Sequence, residues 1–187
     1  MQLLNQPKVL IFITVSLALI WLSRRSLLNL RSHDFYRFFA WEAILGLILI
    51  NADRWFADWL SHRQVISWLL LAVSAFMVTH GTVSLYRFGQ PDSRRVEPTL
   101  IGIERTTELV TTGIYRYIRR PLYGAALVGV WGVALKEITA ISVSLALVST
   151  IRLIITARVE ETENLRFFGD EYRLYMGKTH MFIPFIF

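Results

Sequence analysis

Residues Leu122–Ala157 read LYGAALVGVWGVALKEITAISVSLALVSTIRLIITA, and their pattern specifies the central part of the fold. They hold two apolar runs, Leu122–Leu135 and Ile138–Ala157, and only Lys136 and Glu137 separate them. So short a connection between two apolar runs predicts an antiparallel helical hairpin. Small residues recur in the first run and would let that helix pack closely on its neighbours; they are Gly124, Ala125, Gly129 and Gly132.

The composition indicates an integral membrane protein. Hydrophobic residues make up 54% of the 187 residues, which is more than an ordinary soluble domain contains. Three further apolar runs precede the hairpin, at Val9–Ser23, Phe38–Ala52 and Val65–Leu85. A membrane span needs about 20 apolar residues, so the first, second and fourth runs must borrow flanking residues. We predict an all-α integral membrane helical bundle with about five transmembrane helices and a cytoplasmic C-terminal amphipathic helix.

The distribution of basic residues predicts how the bundle is oriented. Cytoplasmic segments of membrane proteins carry an excess of Lys and Arg. If the N-terminus lies outside, only Lys8, Arg54, Arg63 and Lys136 fall on the outer side. The inner side then holds Arg24, Arg25, Arg31, Arg87, Arg94, Arg95, Arg105, Arg116, Arg119, Arg120, Arg158, Arg166, Arg173 and Lys178. We therefore predict an outer N-terminus, and a C-terminus and active site on the cytoplasmic side.

A single membrane domain, residues 1–187, accommodates all of these features. Three transmembrane helices occupy 1–88, a cytoplasmic loop occupies 89–120, the hairpin occupies 121–157, and a cytoplasmic C-terminal segment occupies 158–187. The first part of the loop, Gly89–Thr107, is polar and carries Pro91 and Pro98, which argues against a helix interior.

Several classes of function are excluded or disfavoured by what the sequence contains. The chain has no cysteine, which excludes disulfides, thiolate metal sites and a cysteine nucleophile. Its net charge of +6 comes from basic residues that flank apolar runs, so membrane orientation explains the charge better than a nucleic-acid partner does. No histidine has a second ligand at metal spacing, and we predict no metal site.

A first polar cluster, ELVTTGIYRYIRRPLYG, occupies Glu108–Gly124. Pro121 suits the first turn of the fourth helix. Backbone donors at that helix start, together with Arg119 and Arg120, would receive an anionic ligand group. The alternative is an interfacial anchor built from aromatic and basic residues.

A second polar cluster, RVEETENLRFFGDEYRLYMGKTHMFIP, occupies Arg158–Pro184. On a continuing helix Arg158 and Glu161 share a face, which leaves Glu160 to contact a ligand's hydroxyl or amine. An aromatic group is expected around Gly169, from Phe167, Phe168, Tyr172 and Tyr175. The alternative is an amphipathic helix lying on the membrane surface.

Together the clusters resemble the isoprenylcysteine carboxyl methyltransferase family, which is similar to the phospholipid methyltransferases. That family carries TxGxYxxxRHPxYxG and, further on, an EE pair followed by FGxEYxxY. The resemblance covers roughly the last 80 residues, and the first three helices match only in being apolar. The matching residues are Thr111, Gly113, Tyr115, Arg119, Pro121, Tyr123, Glu160, Glu161, Phe168, Gly169, Glu171, Tyr172 and Tyr175.

The resemblance implies S-adenosyl-L-methionine as methyl donor, bound from the cytoplasm by both clusters. It implies that Leu109 and Val110 line the adenosyl pocket and that Glu160 binds a polar group of the cofactor. The acceptor's carboxylate would be held by an arginine near the inner end of the fifth helix, where Arg152 and Arg158 are the candidates. The other implied cofactor-binding residues are Tyr115, Arg120, Pro121, Leu122, Tyr123 and Glu161.

The chain departs from the family pattern at three places. Arg120 stands where the family has histidine, and Arg is longer and permanently charged. Gly124 comes one position early, with Ala125 where the family has glycine. Thr156 stands where a eukaryotic member carries its acceptor-binding arginine.

The resemblance predicts direct in-line methyl transfer to a lipophilic acceptor. Proximity, alignment and exclusion of water suffice for an activated methyl group. Neither cluster offers an obvious base, which favours an acceptor that is already anionic, such as a carboxylate. A lipophilic small molecule or prenylated acceptor would enter from the bilayer, among membrane lipids. Two alternatives stay open: an NADPH-dependent enzyme like the sterol reductases, and a non-catalytic protein with the same fold.

Overall fold

A computed structural model describes residues 6–24, 27, 33–89 and 108–183 of the chain. Every apolar run of the sequence forms a helix, which confirms the all-α prediction. The helices are α1 (Gln6–Ser23), α2 (His33–Asn51), α3 (His62–Phe88), α4 (Pro121–Ala134), α5 (Ala140–Phe168) and α6 (Asp170–Met176). Short 3-10 helices follow α2 and precede α4, at Ala52–Arg54 and Gly113–Arg116. Apart from Gly89, the loop predicted at Gly89–Thr107 lies outside the described residues.

Four of the described helices are long and apolar enough to cross a membrane, so the chain is a membrane helical bundle. These four are α1, α2, α3 and α5. The fourth predicted span, α4, has 14 residues and is short, as its apolar run indicated. At 1.5 Å per residue it reaches about 21 Å, whereas the hydrocarbon core is about 30 Å thick. The fifth run is longer than predicted, because α5 continues past Ala157 to Phe168.

The helices pack in two main pairs, α2 against α5 and α3 against α4, and α4 also contacts α5. The largest core cluster is made of small and branched side chains from α2, α4 and α5, namely Ala40, Leu47, Val130, Val133, Ala134, Ala146 and Leu153. Helix α1 packs on α2 and buries none of its own residues. The bundle core is therefore formed by α2 to α5.

Glycines bring α4 close to α3, as the sequence predicted. A methyl group at Gly129 would lie 2.8 Å from Ser74 Oγ, and one at Gly132 would lie 3.1 Å from Leu71 Cγ. The Ser74 hydroxyl donates to the backbone oxygen of Ala125 at 2.8 Å. Small residues on α4 therefore permit an interhelical hydrogen bond.

Polar side chains tie the helices together where α4 turns into α5, and we call this side the turn end. Lys136 Nζ donates to Gln64 Oε1 at 3.0 Å, and Arg54 pairs with Glu137 at 3.2 Å. The opposite side, where α4 begins and α5 ends, is the motif end. It holds both polar clusters, so the hairpin brings together segments that are about 40 residues apart.

Candidate functional site

The first cluster turns sharply into α4 at the motif end. Gly113 has a φ of +62°, which glycine adopts without strain. A side chain there would also meet Ser84, since a Cβ would lie 2.7 Å from Ser84 Oγ. The 3-10 helix that follows buries Tyr115, and Pro121 then opens α4. The local sequence therefore fixes how the cluster faces α3 and α5.

The C-terminal segment after α6 lies beside this turn and pairs with its backbone. Arg119 N donates to His180 O at 2.9 Å, and Arg120 N donates to Met181 O at 3.0 Å. The prediction that backbone donors at the start of α4 are open to an anionic ligand is therefore wrong for these two. The segment instead holds the arginine side chains in position.

Two adjacent ion pairs join the two clusters. The Arg120 guanidinium contacts Glu160, and Arg119 contacts Glu161. Burial opposes the charge of Arg120, but the attractions of Glu160, Tyr172, Tyr123 and Glu161 together exceed this effect and raise the pKa of Arg120 above its ordinary value. Both consecutive glutamates are buried and face the first cluster, whereas Arg158 is exposed. Arg158 and Glu161 lie three residues apart on the continuous α5, as expected, but only Glu161 is buried, and it pairs with Arg119.

Aromatic side chains of α5 and α6 form the wall beside these pairs, as predicted around Gly169. Phe168 stacks on Tyr172 with ring centres 6.4 Å apart, and Tyr172 contacts Tyr175 at 5.9 Å. The Tyr175 hydroxyl donates to the backbone oxygen of Tyr115 at 2.6 Å. Burial raises the pKa of Tyr172 and of Tyr175 above the ordinary tyrosine value, so both stay neutral at physiological pH.

A cavity of about 550 Å³ opens among these residues, within the range of small-molecule sites. Its polar end lies at the motif end, and it continues between α2, α3 and α4 along apolar walls. The polar end is lined by Tyr115, Arg119, Arg120, Glu160, Asn164, Tyr172 and Tyr175. The apolar part, which we call the apolar limb, is lined by Trp41, Ile44, Leu47, Ile48, Trp55, Leu71, Val130 and Val133.

The comparison with known families agrees with this geometry. The sequence model of the phospholipid methyltransferase family matches residues 62–171, which is more than half of the chain. The chain belongs to the phospholipid methyltransferase family. The match spans α3, the first cluster, the hairpin and the beginning of α6, and so includes both ion pairs.

Curated relatives of this phospholipid methyltransferase family member carry the name methanethiol S-methyltransferase. The protein of Bradyrhizobium diazoefficiens is 30% identical over 79% of this chain and 49% of its own length. The protein of Pseudomonas deceptionensis is 31% identical over 64% of this chain and 42% of its own length. The protein of Crocosphaera subtropica is 24% identical over 80% of this chain and 55% of its own length. The chain thus spans about half the length of the curated relatives it matches. No solved structure gives a significant match.

The cavity of this family member brings together most of the cofactor-binding residues that the sequence predicts. Their roles stay predictions, but their positions converge on the polar end and its adjoining walls. Those lining the cavity are Leu109, Val110, Tyr115, Arg120, Pro121, Leu122, Tyr123 and Glu160. Glu161 does not line it and contacts it only through Arg119.

The two arginines predicted to be catalytic do not line the cavity. The Arg152 guanidinium lies 5.5 Å from the ring centre of Phe39 and 5.9 Å from that of Tyr36. Arg158 is exposed on α5. Because α5 presents Leu153 and Glu160 to the cavity, residues 152 and 158 fall on other faces of the helix.

Other residues of the cavity were not predicted from the sequence. Arg37 of α2 lines it and pairs with Asp34, and both side chains are largely buried. The only signal for this pair was the three-residue spacing of opposite charges beside an apolar run. Asn164 lines the cavity one helical turn after Glu160 on α5. The apolar pattern ends at Ala157, and the family motif marks Glu160 and Glu161 beyond it but not Asn164.

Two hydrogen-bond donor groups of Arg120 are unpaired among the described residues at the cavity. Its Nη1 contacts Glu160, while Nε and Nη2 are buried without a hydrogen-bond partner among the described residues. Unpaired buried donors are costly and rare in native proteins, so each one calls for an explanation such as a catalytic role or a bound group. Two free guanidinium donors match the geometry of a carboxylate. The polar end therefore fits a ligand that carries a carboxylate.

Proposed function

We propose that the chain is a membrane methyltransferase that uses S-adenosyl-L-methionine to methylate a lipophilic acceptor, most simply a carboxylate. The observation that carries the proposal is the buried Arg120–Glu160 pair at the polar end of a cavity with an apolar limb. Membership of the phospholipid methyltransferase family supports the reaction class. The same membership disfavours the reductase alternative.

The residues at the polar end fit the proposed cofactor. Glu160 offers a buried carboxylate to an amino or hydroxyl group, and Arg120 offers two donors to a carboxylate. Leu109 and Val110 supply an apolar wall for an adenine ring. In this arrangement the cofactor enters from the cytoplasm at the motif end, and the acceptor enters from the bilayer.

When bound, the cofactor supplies a methyl group on a positive sulfur, so transfer breaks one S–C bond, forms one O–C bond and leaves a neutral thioether. The chain's own residues align the two reactants and exclude water from the gap between them. Pro121, Leu122 and Tyr123 form the wall where the polar end meets the apolar limb. A carboxylate acceptor is ionised at neutral pH and needs no base.

A cation is available to hold an anionic acceptor beside the cofactor. Arg37 lines the cavity from α2, the helix that also forms one side of the apolar limb. Its partner Asp34 keeps the guanidinium oriented. We assign to Arg37 the acceptor contact that the sequence pattern suggested for Arg152 or Arg158.

A thiol acceptor is the second candidate, because the curated relatives are named methanethiol S-methyltransferases. An alkanethiol is a weaker acid than the cysteine thiol, whose pKa is near 8.5, so it is protonated at neutral pH and must lose its proton before attack. A nearby guanidinium such as that of Arg37 would favour the thiolate. The same cavity therefore accommodates either nucleophile, and an experiment must distinguish them.

The test uses purified protein in lipid nanodiscs with methyl-labelled S-adenosyl-L-methionine. Long-chain carboxylic acids and 1-alkanethiols are supplied separately, and products are separated by chromatography. Label in a methyl ester supports the carboxylate proposal, and label in a methyl thioether supports the thiol candidate. Absence of label with either series, together with no binding of S-adenosylhomocysteine, would refute methyl transfer.

A further inference from the structure

The apolar limb of the cavity is long and ends at a defined wall. Pro121 at the start of α4 and Val133 near its end both line the cavity, which amounts to about 18 Å along the helix. No charged side chain lines the limb beyond Arg37 among the residues that the structure describes. At the turn end the lining includes the indole of Trp55. Such a slot suits one extended hydrocarbon chain.

The side chain of Trp55 is held in place by neighbouring residues. Its ring meets Trp68 edge to face at 5.9 Å. Lys136 Nζ lies 3.5 Å from the ring centre of Trp68 and 5.6 Å from that of Trp55. A desolvated ammonium over an indole face is a strong cation–π contact, so the two rings are fixed to the α4–α5 turn.

The backbone before Trp55 is fixed as well. Gln64 Nε2 donates to Arg54 O at 2.9 Å, and Gln64 Oε1 accepts from Lys136 Nζ at 3.0 Å. Gln64 and Lys136 are both fully buried. Their hydrogen bonds join the 3-10 helix, α3 and the hairpin turn, so the wall at the turn end cannot shift without breaking them.

We propose that Trp55 limits the length of the acceptor's apolar chain, with Gln64 and Lys136 as positioning residues for its indole. The proposal rests on the proposed function, since it takes the reacting group to lie at the polar end. The chain then extends along the apolar limb towards Trp55. An acceptor with a longer chain meets the indole and gains nothing from its additional carbons.

Calorimetry with unbranched carboxylic acids of increasing length tests this inference. The protein is held in nanodiscs with and without S-adenosylhomocysteine, and the partition into empty nanodiscs is subtracted. With affinity expressed against the concentration of acid free in water, each added methylene should tighten binding about fourfold until the chain reaches the wall. Beyond that length the affinity should stop rising. The expected result for the parent protein is therefore a break in the plot of affinity against chain length.

Two variants should move the break in opposite directions. Trp55→Ala opens the wall and should shift the break to longer chains, while Ile48→Phe fills the limb and should shift it to shorter ones. Trp59→Ala is the matched control, because Trp59 is exposed near the same turn and does not line the cavity. In Lys136→Met the indole is no longer held, so the affinity should level off gradually over several chain lengths. Lys136→Arg should restore a sharp change at one chain length.

An unmoved break in Trp55→Ala and Ile48→Phe would overturn the proposal, as would an affinity in the parent that does not depend on chain length. Binding of S-adenosylhomocysteine is measured in the same samples and reports on the proposed function separately. A break that moves as expected, without binding of S-adenosylhomocysteine, would keep Trp55 as the end wall and refute the cofactor.

Discussion

Arg120 and Glu160 form a buried pair, and removing one partner leaves the other charge without compensation. We expect Arg120→Met to lower the free energy of unfolding by about 3–5 kcal/mol. The double variant Arg120→Met with Glu160→Gln should recover part of that loss, because no bare charge is then buried. Unfolding by sodium dodecyl sulfate, followed by tryptophan fluorescence, gives the energies of Arg120→Met, Glu160→Gln and the double variant, which complete the cycle.

The matched control is the exposed pair of Arg173 and Asp170, at 3.3 Å on α6. Exposed pairs contribute little because water and salt screen them, so Arg173→Met should leave the unfolding curve unchanged. Equal losses for Arg120→Met and Arg173→Met would contradict the description of the Arg120 pair as a buried structural contact.

The raised pKa of Tyr175 predicts how the stability of the protein depends on pH. Burial raises the pKa of Tyr175 in the folded chain above the ordinary value of 10.0, which applies to the unfolded chain. At a pH between the unfolded and the folded pKa, the folded chain keeps a proton that the unfolded chain loses. Stability should therefore fall as the pH rises above about 10. In Tyr175→Phe this component of the alkaline loss should disappear. At neutral pH that variant should be less stable by about 1–3 kcal/mol, because the Tyr115 carbonyl loses its donor. An unchanged alkaline slope in Tyr175→Phe would count against the raised pKa.

Among the helices, α4 depends most on close approach to its neighbours. A methyl group at Gly124 would lie 2.8 Å from the backbone oxygen of Phe182. A backbone atom cannot move aside by a change of side-chain rotamer. At Gly132 the nearest atom is the side-chain Cγ of Leu71 at 3.1 Å, and at Gly177 it is 3.5 Å away. We expect the loss of stability to fall in the order Gly124→Ala, Gly132→Ala, Gly177→Ala.

The Gly124 variant should also weaken binding of S-adenosylhomocysteine, since it pushes the C-terminal segment away from Arg119 and Arg120. Thermal unfolding and calorimetry on the same three variants measure both effects. A Gly124→Ala protein that is as stable as Gly177→Ala would show that the tail is not packed on α4 as described.

The helical elements were largely predictable from sequence because their signals are local. The run from Leu122 to Ala157 carries its own turn at Lys136 and Glu137, and the hairpin follows from that pattern. The end of α5 was not predictable in the same way. Polar residues after Ala157 look like the end of a span, but Glu160 and Glu161 stay buried because arginines of another segment neutralise them.

The pairing of the two clusters depends on the whole molecule. Arg120 and Glu160 are 40 residues apart in sequence, and only packing of the hairpin decides which glutamate meets which arginine. The sequence motifs indicated the family and most residues at the polar end of the cavity, but not Arg37 or Trp55. Both residues lie in the first half of the chain, before the first matched motif. They reach the cavity only because α2 and the segment that follows it pack beside α4 and α5.

Membrane orientation is a property of the whole molecule and can be tested directly, since the chain has no cysteine. The positive-inside rule predicts that the motif end is cytoplasmic. A membrane-impermeant maleimide should label Asp58→Cys in intact cells and Lys178→Cys only after the cells are opened. Both positions are exposed in the structure. The reverse pattern of labelling would invert the proposed orientation.

The most direct measurement is calorimetric binding of S-adenosylhomocysteine to the purified chain, with NADPH titrated in parallel. We predict that S-adenosylhomocysteine binds and NADPH does not. Glu160→Gln and Tyr123→Ala should each weaken binding by about tenfold or more, as expected for loss of one contact worth at least about 1.4 kcal/mol. Tyr117→Ala, at an exposed position of the same cluster, should bind like the parent. Undiminished binding in both cavity variants, or binding of NADPH alone, would contradict a methyl-donor site at the polar end of the cavity.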